Sequence, residues 1–145
     1  MYIRCGSPLD LEELYKLEKM IFKTEAWTRE MLKMELLINT NSQTLLIEEK
    51  GLILTYLIFR KDLMEYQILN FGVSPSIQNK GLGYRILKNF LENIETNSPV
   101  FLEVKKSNFR AINLYEKNSF KVFGERKNYY KDGSSALMMS YYKTT

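Results

Sequence analysis

Apolar residues in this chain keep two different periods, and the change from one to the other falls on a single glycine-bearing loop. Three runs, Thr44 to Glu48, Leu52 to Arg60 and Glu65 to Val73, are separated by short segments carrying Glu49, Lys50 and Gly51, then Lys61 and Asp62. Runs of that length between turn residues read as strands, and their close spacing suggests an antiparallel meander. After the loop the apolar positions become Leu82, Ile86, Leu87, Phe90, Leu91 and Ile94, which is helical spacing, ending near Asn97 and Pro99.

The flanking segments read in the same way. Residues 2 to 5 form a short strand, and Ser7, Pro8 and Asp10 have the spacing of a helix start that places Leu11, Leu14, Tyr15, Ile21 and Phe22 on one face. Thr28 caps a second helix with Met31, Met34, Leu37 and Ile38 on its apolar side. "VFLEV" (100 to 104) is a buried strand, a helix follows from about Asn108 to Lys117, and two strands close the chain around Phe120 to Arg126 and Ala136 to Tyr142, with "DG" at 132 and 133 as their turn. This order indicates an α/β or α+β fold with a mixed sheet. Nothing repeats and no linker divides the 145 residues, so a single domain spanning 1 to 145 is expected, with roughly two thirds of the unfolded surface buried.

Composition removes whole classes of chemistry. The chain has no histidine and one cysteine, which excludes Ser/His and Cys/His pairs, an internal disulfide and an ordinary zinc site. Any catalysis falls to Glu, Asp, Tyr, Lys or the backbone. Cys5 reads as a small core residue. The formal charge of +4 is spread along the chain and favours anionic ligands without pointing to nucleic acid. The apolar runs are too short to span a bilayer and the N-terminus lacks a leader-like apolar core, so the cytoplasm is the expected compartment.

The residues themselves leave their roles open. Where a strand passes through glycines into a helix, unpaired first-turn N–H groups and the helix dipole suit a phosphate, with Lys80 and Arg85 nearby; a tight turn that binds nothing is an equal reading. The spacing fits neither a P-loop nor a dinucleotide fingerprint. Glu103 lies opposite Val100, Leu102 and Val104, either as a carboxylate buried among apolar groups, which raises a carboxyl pKa, or on a solvated face beside a lysine. Tyr115 sits in an apolar helical stripe as an ordinary core tyrosine would. Trp27, Tyr129 and Tyr130 could each simply close a small satellite cluster.

Gln78-Asn79-Lys80-Gly81-Leu82-Gly83 resembles the Q/R-x-x-G-x-G/A signature of the GNAT superfamily of acetyl-CoA-dependent N-acetyltransferases. "EVKKSNFRAINLYEKNSF" (103 to 120), "RKNYYKDGSSALMM" and "EKMIFKTEAWT" are similar to further segments of its subgroup that acetylates the N-terminal alanine of ribosomal proteins, so the resemblance covers nearly the whole chain. It implies a mixed, mostly antiparallel central sheet of about six to seven strands flanked by about four helices. Thr55, Gln67, Ala26, Ser119 and Ser135 depart from the usual pattern; at Ser119 a left-handed glycine normally ends the helix, a role that Asn118 is expected to take.

The resemblance also implies roles. The loop from Gln78 and Asn79 through Lys80, Gly81, Leu82 and Gly83 to Tyr84 would hold the pyrophosphate of coenzyme A. The backbone of Phe71, Gly72 and Val73 would pair with the pantetheine arm and the acetyl carbonyl, and Asn108 would touch the cosubstrate. Glu103 would accept a proton from the acceptor amine, Tyr115 would protonate the leaving thiolate, and Trp27, Tyr129 and Tyr130 would flank the acceptor groove. No metal enters this scheme. An α-amino group, with a pKa of about 7.7 to 8.0, is far more often neutral at pH 7 than a lysine near 10.4, so a carboxylate base suits a protein N-terminus better. The expected partner is then a peptide or ribosomal-protein N-terminus, with neither membrane nor direct nucleic-acid contact. A lysine, polyamine or small-molecule amine is the second candidate acceptor. An RNA- or ribosome-binding module without catalysis, suggested by "KKSNFR" and "RKNYYK", is a third reading.

Overall fold

The computed structural model of the chain describes residues 2–77 and 80–143. Among these, seven strands form one sheet: β1 (Tyr2–Cys5), β2 (Ser42–Glu49), β3 (Leu52–Lys61), β4 (Tyr66–Val73), β5 (Pro99–Lys105), β6 (Lys121–Arg126) and β7 (Ala136–Tyr142), in the order β1-β2-β3-β4-β5-β7-β6. Every neighbouring pair is antiparallel except β4 and β5. Four α-helices flank it among the described residues: α1 (Leu11–Phe22), α2 (Arg29–Lys33), α3 (Leu82–Asn93) and α4 (Phe109–Lys117). The expected mixed, mostly antiparallel sheet with about four helices is what the chain forms. No helix among the described residues is long and apolar enough to cross a membrane.

Strand alternation divides the core into two layers. On one face, Ile47, Leu57 and Phe59 pack with Val100, Leu102 and Met139 against the helical stripe Leu82, Ile86, Leu87, Phe90, Leu91 and Ile94, and against Ile112 and Tyr115 of α4. On the other, Leu46, Tyr56 and Ile58 meet Leu11, Leu14 and Leu17 of α1 and Leu32 of α2. The Ser7 box forms as expected, the amide of Ser7 donating to Asp10 Oδ2 at 2.7 Å, and it caps a short 3-10 turn, Pro8–Asp10, that leads into α1.

Three expectations fail. Met31, Met34, Leu37 and Ile38 are exposed, and Leu32 and Glu35 are the buried residues. Past Lys33 the helix widens into a π-helical turn, Met34–Ile38, which breaks the 3.6-residue period. Glu35 tolerates burial because Arg60, Asn39 and Ser42 all donate to its carboxylate. Cys5 is exposed rather than in the core, because β1 is an edge strand. Ser119, not Asn118, takes the left-handed conformation, with φ of 70°. The amides of Ser119 and Phe120 return to the carbonyls of Glu116 and Tyr115 at 3.1 and 3.0 Å, which closes a Schellman motif without glycine.

The parallel pair β4 and β5 positions the site. Their ladder holds at Tyr66↔Val100 and Gln67↔Phe101 and then stops, although β4 continues to Val73 and β5 to Lys105. A register shift in the pairing with β3 leaves Leu69 as an extra residue, since Ile58 faces Asn70 while Phe59 faces Ile68. A bulge of this kind bends a strand and inverts its alternation. Phe71 therefore packs on the same side as Ile68, against Tyr115, and Asn70 turns toward α1.

Candidate active site

At the head of α3, Gly81 has φ of 80° and provides no side-chain cap. The first return bond of the helix runs from the Arg85 amide to the Gly81 carbonyl at 3.0 Å, so the amides of Leu82, Gly83 and Tyr84 precede the helical ladder. Gly83 fits because it has no side chain: a Cβ there would lie 3.1 Å from Val73 Cγ2 and 3.3 Å from Leu114 Cδ2. Together with Phe71, Gly72, Val73 and Asn108 these residues line an open groove of about 620 Å³. Lys80 is exposed on the loop, while Gln78 and Asn79 lie outside the described residues.

Between the parted strands a smaller cavity of about 210 Å³ is lined by residues from several elements, among them Glu18, Trp27, Phe71, Glu103, Asn108, Tyr115 and Tyr130. It shares Phe71 and Asn108 with the glycine-loop groove. It shares Trp27, Glu103 and Tyr130 with a third groove of about 670 Å³, which Tyr129 also lines. The parted strands thus leave a passage from one groove to the other.

Tyr115 is buried, its ring 6.0 Å from that of Phe71 and 5.5 Å from that of Phe120. Burial pushes its phenol above the ordinary value of 10.0, with the nearby Tyr130 adding to the effect, so it stays protonated at neutral pH. Glu103 differs from the buried carboxylate of the first reading: it is exposed, and its Oε1 accepts from Arg126 Nε at 2.6 Å. Its strand position opposite Val100, Leu102 and Val104 is as expected, and Phe101 and Lys105 on the same face are only half-buried. Asn108 caps α4, its Oδ1 accepting from the Ala111 amide at 3.2 Å, and faces both compartments. Tyr129 and Tyr130 stack edge to face at 5.2 Å. The Tyr130 phenol is also raised, chiefly by burial and then by the charge of Glu103.

Glu18 was not singled out from the sequence. It is 1% exposed, and three donors converge on its carboxylate: the Tyr56 hydroxyl, Asn70 Nδ2 at 2.8 Å and the Trp27 amide at 2.8 Å. Its position in the sequence offered a signal, because it follows Leu14 by four residues on the apolar stripe of α1, where a carboxylate persists only if fully hydrogen-bonded. The network explains Gly72 too, since a Cβ there would lie 2.8 Å from both the Tyr56 hydroxyl and Ile21 Cδ1. Thr55, one of the departures from the usual pattern, is buried with its hydroxyl donating to the Gly72 carbonyl at 2.7 Å.

Three cations of the two basic stretches are paired within the fold. Lys105 pairs with Glu25 and Asp132, Lys106 with Glu125, and Arg126 with Glu103. Charges satisfied within the fold are poorly placed to neutralise a nucleic-acid backbone.

Residues 10–120 match the model of the acetyltransferase (GNAT) family. A protein of Bacillus subtilis (strain 168), provisionally named a ribosomal protein bS18-alanine N-acetyltransferase, is 32% identical over 133 residues, covering 90% of this chain and 87% of that protein. The crystal structure of the ribosomal-protein-S18-alanine N-acetyltransferase from Escherichia coli superposes with a TM-score of 0.88 at 25% identity, over 99% of this chain and 96% of the other. Arabidopsis thaliana NAA60 in complex with acetyl-CoA shares the fold at a TM-score of 0.81 and 16% identity, over 97% of each chain.

Proposed function

The chain belongs to the acetyltransferase (GNAT) family and is an N-acetyltransferase, and from that premise we propose that it transfers the acetyl group of acetyl-CoA to a protein N-terminal amine, most specifically the N-terminal alanine of a ribosomal protein. The observation that carries this reading is the parting of β4 and β5, which opens one cavity to Glu103, Tyr115 and the glycine-loop groove together.

The glycine-loop groove fits a phosphorylated cosubstrate. Its uncapped helix head offers amides to an anion, and Gly81 and Gly83 leave it free of side chains. The amides of Leu82, Gly83 and Tyr84 hold the diphosphate in this scheme. A backbone amide within Phe71 to Val73, on the strand edge released from β5, polarises the thioester carbonyl as charge develops on its oxygen. Glu103 removes the proton of the entering amine, directly or through one water, and the Arg126 ion pair fixes where that carboxylate sits. Tyr115 supplies a proton to the departing thiolate. A neutral phenol in an apolar cavity suits this task, because a phenol near its ordinary 10.0 or above is protonated at physiological pH. Attack is direct, and the enzyme carries no acyl group. Trp27, Tyr129 and Tyr130 flank the acceptor.

The test has two stages. Acetyl-CoA should raise the melting temperature in a concentration-dependent way. Mass spectrometry should then find the acetyl group preferentially on an Ala-initiated ribosomal-protein peptide when that peptide competes with lysine-containing peptides and polyamines. An unchanged melting temperature overturns the cosubstrate site, and preference for a lysine or polyamine overturns the N-terminal acceptor.

A further inference from the structure

The two segments that wall the acceptor side of the cavity come from opposite ends of the chain, and one side chain joins them. Lys105 Nζ donates to Glu25 Oε1 at 2.7 Å and to Asp132 Oδ2 at 2.6 Å. Glu25 lies two residues before Trp27 in the connection between α1 and α2, and Asp132 lies two residues after Tyr130 in the connection between β6 and β7. Lys105 itself is held in the sheet, opposite Ala136 of β7, and its ammonium lies 5.8 Å from the Tyr130 ring centroid.

We propose that Lys105 is a positioning residue for the acceptor: its ammonium clasps the Trp27 segment to the Tyr130 segment and so sets the width of the mouth through which the amine reaches Glu103. This rests on the reading of that cavity as the acceptor site. Both partners of the clasp are anchored on their far sides. The Trp27 amide is tied to the buried Glu18, and Asp132 accepts from the amide and hydroxyl of Ser134 at 2.9 and 2.6 Å. Glu25, Lys105 and Tyr130 all line the cavity, so a change in the clasp is a change in its wall. The hydrogen bond from Lys105 is the leading cause that holds the Asp132 carboxyl well below its usual range, and bonds to Asp132 and then Glu25 raise Lys105 in turn. Part-exposed ion pairs add little to global stability, and the clasp acts instead on the relative placement of two loops that no strand pairing joins among the described residues.

Lys105→Met keeps the aliphatic stem and removes the charge. With the full chain, KM for an Ala-initiated peptide should rise about fivefold, with KM for acetyl-CoA unchanged. Lys105→Arg should restore it. Glu25→Gln should add little to Lys105→Met, as two halves of one contact do. Trp27 is the chain's one tryptophan, so acrylamide quenching of its fluorescence reads the same segment without any assay of activity and should increase in Lys105→Met. Unchanged acceptor KM and unchanged quenching in that variant, or full additivity with Glu25→Gln, overturns the clasp while leaving the enzyme's reading intact. A wild-type protein that acetylates no amine overturns the acceptor reading on which the proposal stands.

Discussion

Arg126 and Glu103 meet above the intervening strand β7, Nε to Oε1 at 2.6 Å, which places a cation beside the carboxylate at the rim of the cavity. If that carboxylate takes the proton of the amine, Glu103→Gln should lower kcat by about 10²-fold to 10³-fold at neutral pH. Acetyl-CoA affinity measured by calorimetry should not change, because Glu103 does not line the glycine-loop groove. Equal loss of turnover and of cofactor affinity would mark the variant as misfolded at the site.

Tyr115 gives a pH signature. Its phenol ionises near 10.0 in the unfolded chain, while burial in the native state holds it neutral to higher pH. Stability that is complete below pH 10 is therefore lost as pH rises toward the native value, since the unfolded chain releases the proton first. Urea unfolding at pH 9 and 11 should show this loss, and Tyr115→Phe should make it shallower. Tyr56, raised by burial and then by Glu18, accounts for part of what remains. The same Phe variant should lower kcat by about 10²-fold at neutral pH.

The two glycines of the loop should fail in different ways. Gly81→Ala meets no atom within 4 Å but must hold φ of 80°, which costs about 1 kcal/mol. Gly83→Ala has ordinary helical geometry but pushes on Val73 and Leu114, so it should cost about 1 to 3 kcal/mol and weaken acetyl-CoA binding more strongly. Chemical denaturation with a parallel cofactor titration distinguishes them; a Gly83→Ala protein with unaltered cofactor affinity would rule out a close approach at that residue.

Glu18 holds a stability term that activity assays alone would misread. Glu18→Ala leaves Tyr56, Asn70 and Trp27 donors without their acceptor, and the cost should reach about 3 kcal/mol. Glu18→Gln, which keeps an acceptor oxygen, should cost less, and urea midpoints of the two variants check the order.

Ser119→Gly should stabilise the protein by about 0.5 kcal/mol. Removing a left-handed Cβ recovers about 1 kcal/mol or more, and the greater freedom of glycine in the unfolded chain offsets about half of it. A lower melting temperature for this variant would mean that the serine side chain contributes more than its backbone strain costs.

Local pattern alone determined a great deal about this protein. The stripe from Leu82 to Ile94 is buried at every expected position, the strand and helix order holds throughout, and Glu103 sits on the face that alternation assigns to it. These are consequences of the 2.0 and 3.6 residue periods, which any short window displays. The motifs on the loop, on β5 and on α4 named the family before any coordinates. Tertiary structure decided what depends on two segments at once. The bulge at Leu69 and the broken ladder between β4 and β5 are properties of a strand pair, and no single run of residues encodes where a pairing stops. Whether Glu103 is buried depended on which half of the sheet α1 and α2 cover. The π-helical turn that carries the exposed Met34, Leu37 and Ile38 is tied through Glu35 to Arg60 of β3, and the burial of Glu18 required Tyr56, Asn70 and Trp27 from three separate segments to converge. A buried charge is stable only when its partners arrive, and those partners are distant in the chain.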